Sequence, residues 1–205
     1  MSITEFEKSI RIPKVRIIEP TPDELIDIAA YFNMPIDVLV LKDLKKLHQF
    51  DDHNIKMLIL DVDGTMTDGG MYFTENGDQI KRYNAKDGIA IKALVKKGTK
   101  VGIISHGKKF QVIKDRADLL GIEHVYVGSE SKLEILNGWL KNLDIKLEEV
   151  AYVGDDINDM DIIEAVGLTA CPADAVSEVK RKVDIILQKN GGHGCIRELY
   201  DEWLS

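Results

Sequence analysis

Two clusters of acidic residues each follow a short apolar segment. Asp61 and Asp63 come directly after residues 57–60 (MLIL), and the acidic segment 154–159 (GDDIND) comes directly after residues 150–153 (VAYV). Apolar runs of this length are typical of buried parallel strands, whose carboxyl ends meet at one edge of a sheet. Crowded carboxylates repel one another unless a cation lies between them, and Mg²⁺ prefers oxygen ligands. The pattern predicts a magnesium site at that edge, and the occurrence of both clusters disfavours the alternative that they only cap helices.

Candidate strands alternate with helical patterns from residue 57 onward. They are residues 57–62, 101–104, 124–127, 150–153 and 168–171. The segments between them have the apolar spacing of helices of about 10 to 14 residues. This alternation predicts an α/β fold, a Rossmann-like doubly wound parallel sheet with its active site at the carboxyl ends of the strands.

A β-hairpin interrupts this alternation directly after the first candidate strand. Segments 71–75 and 78–83 flank Asn76-Gly77, a pair that strongly favours a tight turn. We therefore predict a hairpin that projects from the sheet.

The N-terminal segment differs in composition from the rest of the chain. The first 63 residues contain none of the 16 glycines but four of the five prolines. Thr21 to Glu24 have the pattern of a capping box with proline at the first helical position, which predicts a helix ending near Asn33, and Pro35 opens a second helix. We predict a helical extension at 1–53 and a catalytic α/β domain at 54–205.

Composition and charge exclude several classes of protein. The chain has 205 residues and a formal net charge of -8, which argues against a broad nucleic-acid surface. No apolar run approaches the roughly 20 residues of a membrane span. Residues 1–11 lack the apolar core of an export signal, and we expect Cys171 and Cys195 to be reduced packing thiols. These observations favour a cytoplasmic protein.

The order of the motifs resembles that of the haloacid dehalogenase (HAD) superfamily of phosphohydrolases. Its signature is a DxDG(T/V) strand end, a strand that ends in Ser or Thr, a lysine, and a GDD-type acidic motif. The chain has all four in that order, with Ser105 closing the second strand and Lys132 near the start of a predicted helix at 131–143. The gaps where such enzymes carry a lid domain hold only the hairpin and single helices, so the resemblance implies a lidless phosphatase.

The resemblance implies a role for each motif residue. Asp61 is the expected nucleophile, which forms an aspartyl phosphate, and Asp63 is the expected general acid and base. Ser105 and Lys132 are expected to bind the phosphoryl oxygens. The expected Mg²⁺ ligands are Asp61, the backbone carbonyl of Asp63, and Asp155. The expected outer shell, which orients the metal and the lysine, consists of Asp156, Asn158 and Asp159.

A narrower resemblance links residues 54 to 204 to the 3-deoxy-D-manno-octulosonate 8-phosphate (KDO 8-P) phosphatases of lipopolysaccharide biosynthesis. Segments 61–70 (DVDGTMTDGG), 84–88 (NAKDG) and 191–198 (GGHGCIRE) carry it. In that family the hairpins assemble four subunits, so the resemblance implies a homotetramer. The sugar-acid contacts that it implies are Tyr83, Asn84, Lys86, Asp87, Lys92, Lys108, Arg116 and Arg197. Lys92 and Arg116 are equally compatible with exposed helix positions, and Gly191 to Gly194 with a flexible linker or a mobile closing loop.

One departure from the family concerns substrate choice. Residues 105–108 (SHGK) replace the usual Thr-Gly-Arg, with one extra residue and lysine in place of arginine. The basic Lys108 favours the eight-carbon substrate, and a phosphatase of nonulosonate 9-phosphates is the alternative. A regulatory or binding module that uses the N-terminal helices is a further alternative, which the complete motif set disfavours.

Overall fold

The computed structural model describes residues 19–32, 36–41 and 55–204. The chain divides into two compact units, Met1–Gln49 and Phe50–Ser205. In the N-terminal unit, helix α1 is Pro22–Tyr31 and helix α2 is Ile36–Leu41. The predicted capping box at Thr21 and Glu24 is present, with the Thr21 amide donating to Glu24 Oε2 at 2.8 Å. Pro35, predicted to open the second helix, lies outside the described residues.

The larger unit contains a parallel sheet and a separate hairpin. In chain order the strands are β1 (Met57–Leu60), β2 (Tyr72–Phe73), β3 (Gln79–Ile80), β4 (Lys100–Ser105), β5 (His124–Val127), β6 (Val150–Val153), β7 (Leu168–Cys171) and β8 (Ile185–Ile186). Six of them form one sheet in the order β5-β4-β1-β6-β7-β8, with every pairing parallel. This confirms the predicted doubly wound fold. The strand order changes direction at β1, so the crevice at its carboxyl end is where such sheets bind ligands.

Helices cover the sheet and connect its strands. They are α3 (Ala85–Lys97), α4 (Phe110–Leu120), α5 (Lys132–Leu143), α6 (Met160–Ile163), α7 (Ser177–Lys182) and α8 (Cys195–Leu199). Single helical turns occur at Val62–Met66, Leu147–Glu149, Ile157–Asp159 and Tyr200–Leu204. Over the described part of the chain, no helix has the length and apolar character needed to traverse a bilayer.

Central strands of the sheet are completely buried, which explains why their sequences read as continuous apolar runs. All four residues of β1 and of β6 are buried. The predicted first strand continued to Val62, but the observed strand ends at Leu60 because the chain turns at Gly64, where φ is 93°. The two-residue strand β8 was not predicted, because a run that short carries no periodicity.

The hairpin is present but shorter than predicted. Strands β2 and β3 pair antiparallel, Tyr72 opposite Ile80 and Phe73 opposite Gln79. Gly77 adopts a φ of 79° in the turn, as the Asn-Gly pair predicts. The gaps between Asp61 and Ser105 and between α5 and β6 contain the hairpin, α3, β4 and two single helical turns, so the described residues confirm that no lid domain is inserted there.

Candidate active site

The turn after β1 brings the two acidic clusters together. Asp61 is 5% exposed, and its amide donates to the Val153 carbonyl oxygen at 3.0 Å, which ties the end of β1 to the end of β6. A Cβ on Gly64 would lie 2.1 Å from Asp155 Oδ2. Only glycine therefore permits this close approach of the first acidic loop to the second.

Three carboxylates converge at this edge of the sheet. Asp61, Asp155 and Asp159 each offer an oxygen, and these oxygens lie within 4.8 Å of one another. Burial raises the pKa of Asp61 to about 7, although the charge of Lys132 opposes the shift. Burial and the charge of Asp61 raise the pKa of Asp155 to about 8. Carboxylates that resist ionisation because they are buried and close together are the donor set that a hard divalent cation such as Mg²⁺ fits.

Asp159 differs from the other two because both of its carboxylate oxygens already accept hydrogen bonds. Oδ1 accepts from Lys132 Nζ at 2.5 Å and from Tyr152 Oη at 2.6 Å. Oδ2 accepts from the backbone amides of Asp155 at 2.9 Å and Asp156 at 3.2 Å. This arrangement favours the predicted outer-shell role for Asp159. Asp61 and Asp155 each accept one side-chain hydrogen bond, at Oδ1, which makes them better candidates to bind a cation.

Lys132 lies at the start of α5, where Ser131 caps the helix by accepting from the Glu134 amide at 3.3 Å. The lysine side chain is 0% exposed and its Nζ donates to Asp61 Oδ1 at 2.6 Å. Burial alone would lower the pKa of Lys132, but the charges of Asp61 and Asp159 outweigh burial and raise it. A permanent positive charge is therefore fixed beside the predicted nucleophile.

Tyr152 is a member of this network that the sequence analysis missed. It is 0% exposed, and Lys132 Nζ donates to its hydroxyl at 3.2 Å. The one sequence signal is a hydroxyl-bearing residue inside an otherwise aliphatic strand, because a buried tyrosine hydroxyl needs a partner.

Ser105 and the residues after it form the opposite wall. Ser105 ends β4, is 1% exposed, and its hydroxyl accepts from the Gly107 amide at 3.0 Å. The side chain of His106, the extra residue, lies between the Glu130 carbonyl oxygen, 3.0 Å from Nε2, and the Asn158 side-chain nitrogen, 3.2 Å from Nδ1. His106 thus links the loops that follow β4, β5 and β6.

These walls enclose an open cleft of about 480 Å³. Three of the four predicted catalytic residues line it (Asp61, Asp63 and Ser105), the hairpin forms one side, and two lysines lie on the loop after β4. Its lining residues are Asp61, Asp63, Met71, Phe73, Gln79, Ser105, His106, Gly107, Lys108, Lys109, Asp156 and Asn158. Exposed cationic side chains beside a carboxylate-lined base suit a substrate with a phosphate at one end and a second anionic group at the other.

Asp63 has a partner that the sequence analysis also missed. Lys81, on the chain directly after β3, forms an ion pair with Asp63 Oδ1. The pattern at 78–83 predicts a hairpin strand, but it does not reveal which side chains of that strand face the site.

The predicted sugar-acid contacts fall into different surroundings. Of the eight, Lys108 alone lines the cleft in the described part of this single chain. The Arg116 guanidinium lies 5.1 Å from the centre of the Tyr83 ring and donates to the Asn84 carbonyl oxygen at 3.2 Å, so these three form a cluster of their own.

The other predicted contacts lie on the surface or against the C-terminal helix. Lys86 and Lys92 are exposed on α3. Asp87 is 3% exposed and accepts from the Arg197 amide at 2.8 Å, which fixes the start of α8. Arg197 Nε donates to Asp201 Oδ2 at 2.7 Å.

The C-terminal glycine segment packs against the turn that carries the first acidic cluster. The Gly192 amide donates to the Thr65 carbonyl oxygen at 3.0 Å. A Cβ on Gly191 would lie 1.8 Å from the Gly64 carbonyl oxygen. In this conformation Gly191 and Gly192 leave no space for a side chain, which explains the need for glycine at these two positions.

Comparison with known proteins identifies the family. Residues 122–199 match the family model described as haloacid dehalogenase-like hydrolase. Over 148 residues the chain is 40% identical to the 3-deoxy-D-manno-octulosonate 8-phosphate phosphatase of Escherichia coli K12, covering 72% of this chain and 78% of that protein. The chain belongs to the KDO 8-P phosphatase family of HAD-like hydrolases.

Solved structures of family members have the same fold. The phosphatase of Yersinia pestis superposes with a TM-score of 0.73 at 36% identity, covering 76% of this chain and 83% of that one. The phosphatase of Moraxella catarrhalis, solved with magnesium, phosphate and KDO, superposes with a TM-score of 0.74 at 30% identity, covering 79% and 92%. A cobalt-bound form from Haemophilus influenzae superposes with a TM-score of 0.71 at 35% identity, covering 74% and 88%.

Proposed function

We propose that this protein is a Mg²⁺-dependent phosphatase of sugar-acid phosphates, with 3-deoxy-D-manno-octulosonate 8-phosphate as its substrate. The carrying observation is the placement of Asp61, 2.6 Å from Lys132 Nζ and within 4.8 Å of Asp155, at the base of an open cleft. Relatives that share 40% of their aligned residues with this chain are KDO 8-P phosphatases, and a structural neighbour binds magnesium, phosphate and KDO.

Phosphoryl transfer in this proposal begins with Asp61. Its carboxylate attacks phosphorus, the ester oxygen leaves with the sugar, and an aspartyl phosphate remains on the enzyme. Lys132 offsets the charge that spreads over the equatorial oxygens, while the Ser105 hydroxyl binds one of them. Asp61, the Asp63 carbonyl and Asp155 would hold Mg²⁺, which when bound offsets the repulsion between the phosphate and the carboxylates.

Proton transfer falls to Asp63 in the same proposal. Its carboxyl protonates the departing alkoxide in the first half of the reaction and takes a proton from the attacking water in the second. Asp63 is two residues beyond the proposed nucleophile and lines the same cleft, which supports this role.

A tetramer closes the open site in this proposal. The hairpin exposes Met71 (63%), Tyr72 (51%), Phe73 (64%) and Ile80 (57%) to solvent in the single chain. An isolated two-stranded hairpin with unpaired strand edges is only marginally stable in water. Association of hairpins from several subunits would bury these side chains and stabilise the hairpin. We further propose a cytoplasmic location, which the two buried, reduced cysteines support.

A substrate panel tests the proposal. Phosphate release is measured from eight- and nine-carbon sugar-acid phosphates and from simple sugar phosphates, each with Mg²⁺ or with chelator. Selective, metal-dependent turnover of the eight-carbon acid, abolished by Asp61→Asn, is expected. Preference for the nine-carbon acid would replace the substrate and keep the mechanism, and turnover that survives both chelator and Asp61→Asn would refute the mechanism.

A further inference from the structure

We propose that Lys81, on the hairpin, is a positioning residue for the proton-transfer group Asp63. The inference rests on the proposed function, in which Asp63 gives a proton to the leaving oxygen. Lys81 itself is not expected to touch the reacting atoms. It acts by holding one oxygen of the Asp63 carboxylate.

The burial of Lys81 is the first observation. Its side chain is 1% exposed, whereas that of its partner Asp63 is 24% exposed. An ammonium group so nearly excluded from water is stable only when it is paired. Within the described residues the pair with Asp63 Oδ1 satisfies it. A solvent-exposed lysine on a hairpin does not need such a partner, so the burial of Lys81 depends on its ion pair with Asp63.

The register of the strand explains how Lys81 reaches the site. Side chains two residues apart on an extended chain share a face, so Lys81 and Tyr83 point the same way. Tyr83 forms an antiparallel bridge with Thr67, which fastens the base of the hairpin to the turn after Asp61. Ile80, which alternates with them, is 57% exposed.

The two oxygens of Asp63 have different surroundings. Oδ1 is bound by Lys81. Oδ2 points toward the loop after β4, where a Cβ on Gly107 would lie 3.8 Å from it. Both Asp63 and Gly107 line the cleft. Anchoring Oδ1 stops rotation of the carboxyl group and keeps Oδ2 directed at the place where the leaving oxygen must lie.

A comparison of leaving groups isolates this role. The ratio kcat/KM reports only the steps up to departure of the leaving group when that departure is irreversible. A sugar alkoxide needs a proton to leave, whereas p-nitrophenolate is a weak base that leaves without one. Misplacing Asp63 should therefore lower kcat/KM for the sugar-acid phosphate and spare kcat/KM for p-nitrophenyl phosphate.

The test uses the full chain with saturating Mg²⁺ and three variants. Lys81→Met is expected to lower kcat/KM for the sugar-acid phosphate about 100-fold, the scale of general acid catalysis, and that for p-nitrophenyl phosphate less than about 3-fold. Lys81→Arg, which keeps a cation, is expected to recover most of the loss. Lys141→Met removes an exposed lysine from α5 and is the matched control, expected to behave as wild type.

Equal losses on both substrates would overturn the inference, because they would place Lys81 in phosphate binding or in general stability. The absence of any loss would also overturn it. A wrong substrate assignment is distinguishable from a wrong role for Lys81, because the wild-type enzyme itself would then fail to turn over the proposed substrate. If the wild type prefers another sugar phosphate, the same ratio is measured with that alkyl ester.

Discussion

Replacement of Lys132 by methionine probes the electrostatic centre of the site. The substitution keeps the length of the side chain and removes the ammonium group, which donates to Asp61 at 2.6 Å and to Asp159 at 2.5 Å. These carboxylates are 5% and 1% exposed. Lys132→Met thus leaves two buried acidic groups without their countercharge.

The expected cost follows from this burial. Removing one partner of a buried ion pair lowers the free energy of unfolding by about 3–5 kcal/mol. With a urea m value of about 2 kcal/mol/M, the midpoint falls by about 1.5–2.5 M. Adding Asp159→Asn to Lys132→Met removes one of the stranded charges and should restore roughly 1–2 kcal/mol.

Urea unfolding at pH 7 with chelator present, followed by circular dichroism and tryptophan fluorescence, measures this effect. Lys141→Met is the matched control, because it makes the same change at an exposed position of the same helix and should cost less than about 0.5 kcal/mol. A midpoint shift below about 0.5 M for Lys132→Met would refute the reasoning, as would a double variant that is less stable than the single one.

Three further predictions concern the metal site and the hairpin. Burial raises the pKa of Asp155 to about 8, above its ordinary 3.8, so the folded state holds a proton that the unfolded chain releases. With chelator, the free energy of unfolding should therefore fall as the pH rises from about 5 to 8. Saturating Mg²⁺ should reduce that fall, and identical pH profiles with chelator and with Mg²⁺ would contradict this prediction. Gly64→Ala should raise the Mg²⁺ activation constant at least about tenfold, because the added Cβ would collide with Asp155. Gly77→Ala is the control and should not change the constant, because Gly77 has a similar φ but no atom near the added Cβ. In analytical ultracentrifugation, Phe73→Ser should dissociate the proposed tetramer, whereas Leu119→Ser, at a similarly exposed position, should not; an unchanged mass for Phe73→Ser would count against hairpin assembly.

Local features of the sequence predicted most of the architecture. Strands β5, β6 and β7 have the predicted bounds, because short apolar runs between helical patterns are typical of strands in a parallel sheet. Helix α5, predicted at 131–143, is Lys132–Leu143, with Ser131 as its N-cap. The proposed catalytic set could be predicted for a related reason: each of its residues lies at the carboxyl end of a parallel strand or on the segment that follows the strand.

Contacts between distant segments were beyond sequence reasoning. Lys81 reaches Asp63 only because the hairpin folds back over the turn, and no local pattern reveals that register. Tyr152 joins Lys132 and Asp159 through side chains that converge from separate elements. The fit of Gly192 against Thr65 depends on the C-terminal segment returning to the first acidic loop.

Identification of the phosphorylated residue tests the central claim most directly. The enzyme is mixed with radiolabelled 3-deoxy-D-manno-octulosonate 8-phosphate and Mg²⁺, quenched in acid within one turnover, and treated with borohydride, which reduces an aspartyl phosphate to homoserine. The account predicts transient label on the protein and homoserine at position 61 in the digested peptide. Turnover with no labelled protein, or reduction at any other aspartate, would contradict it.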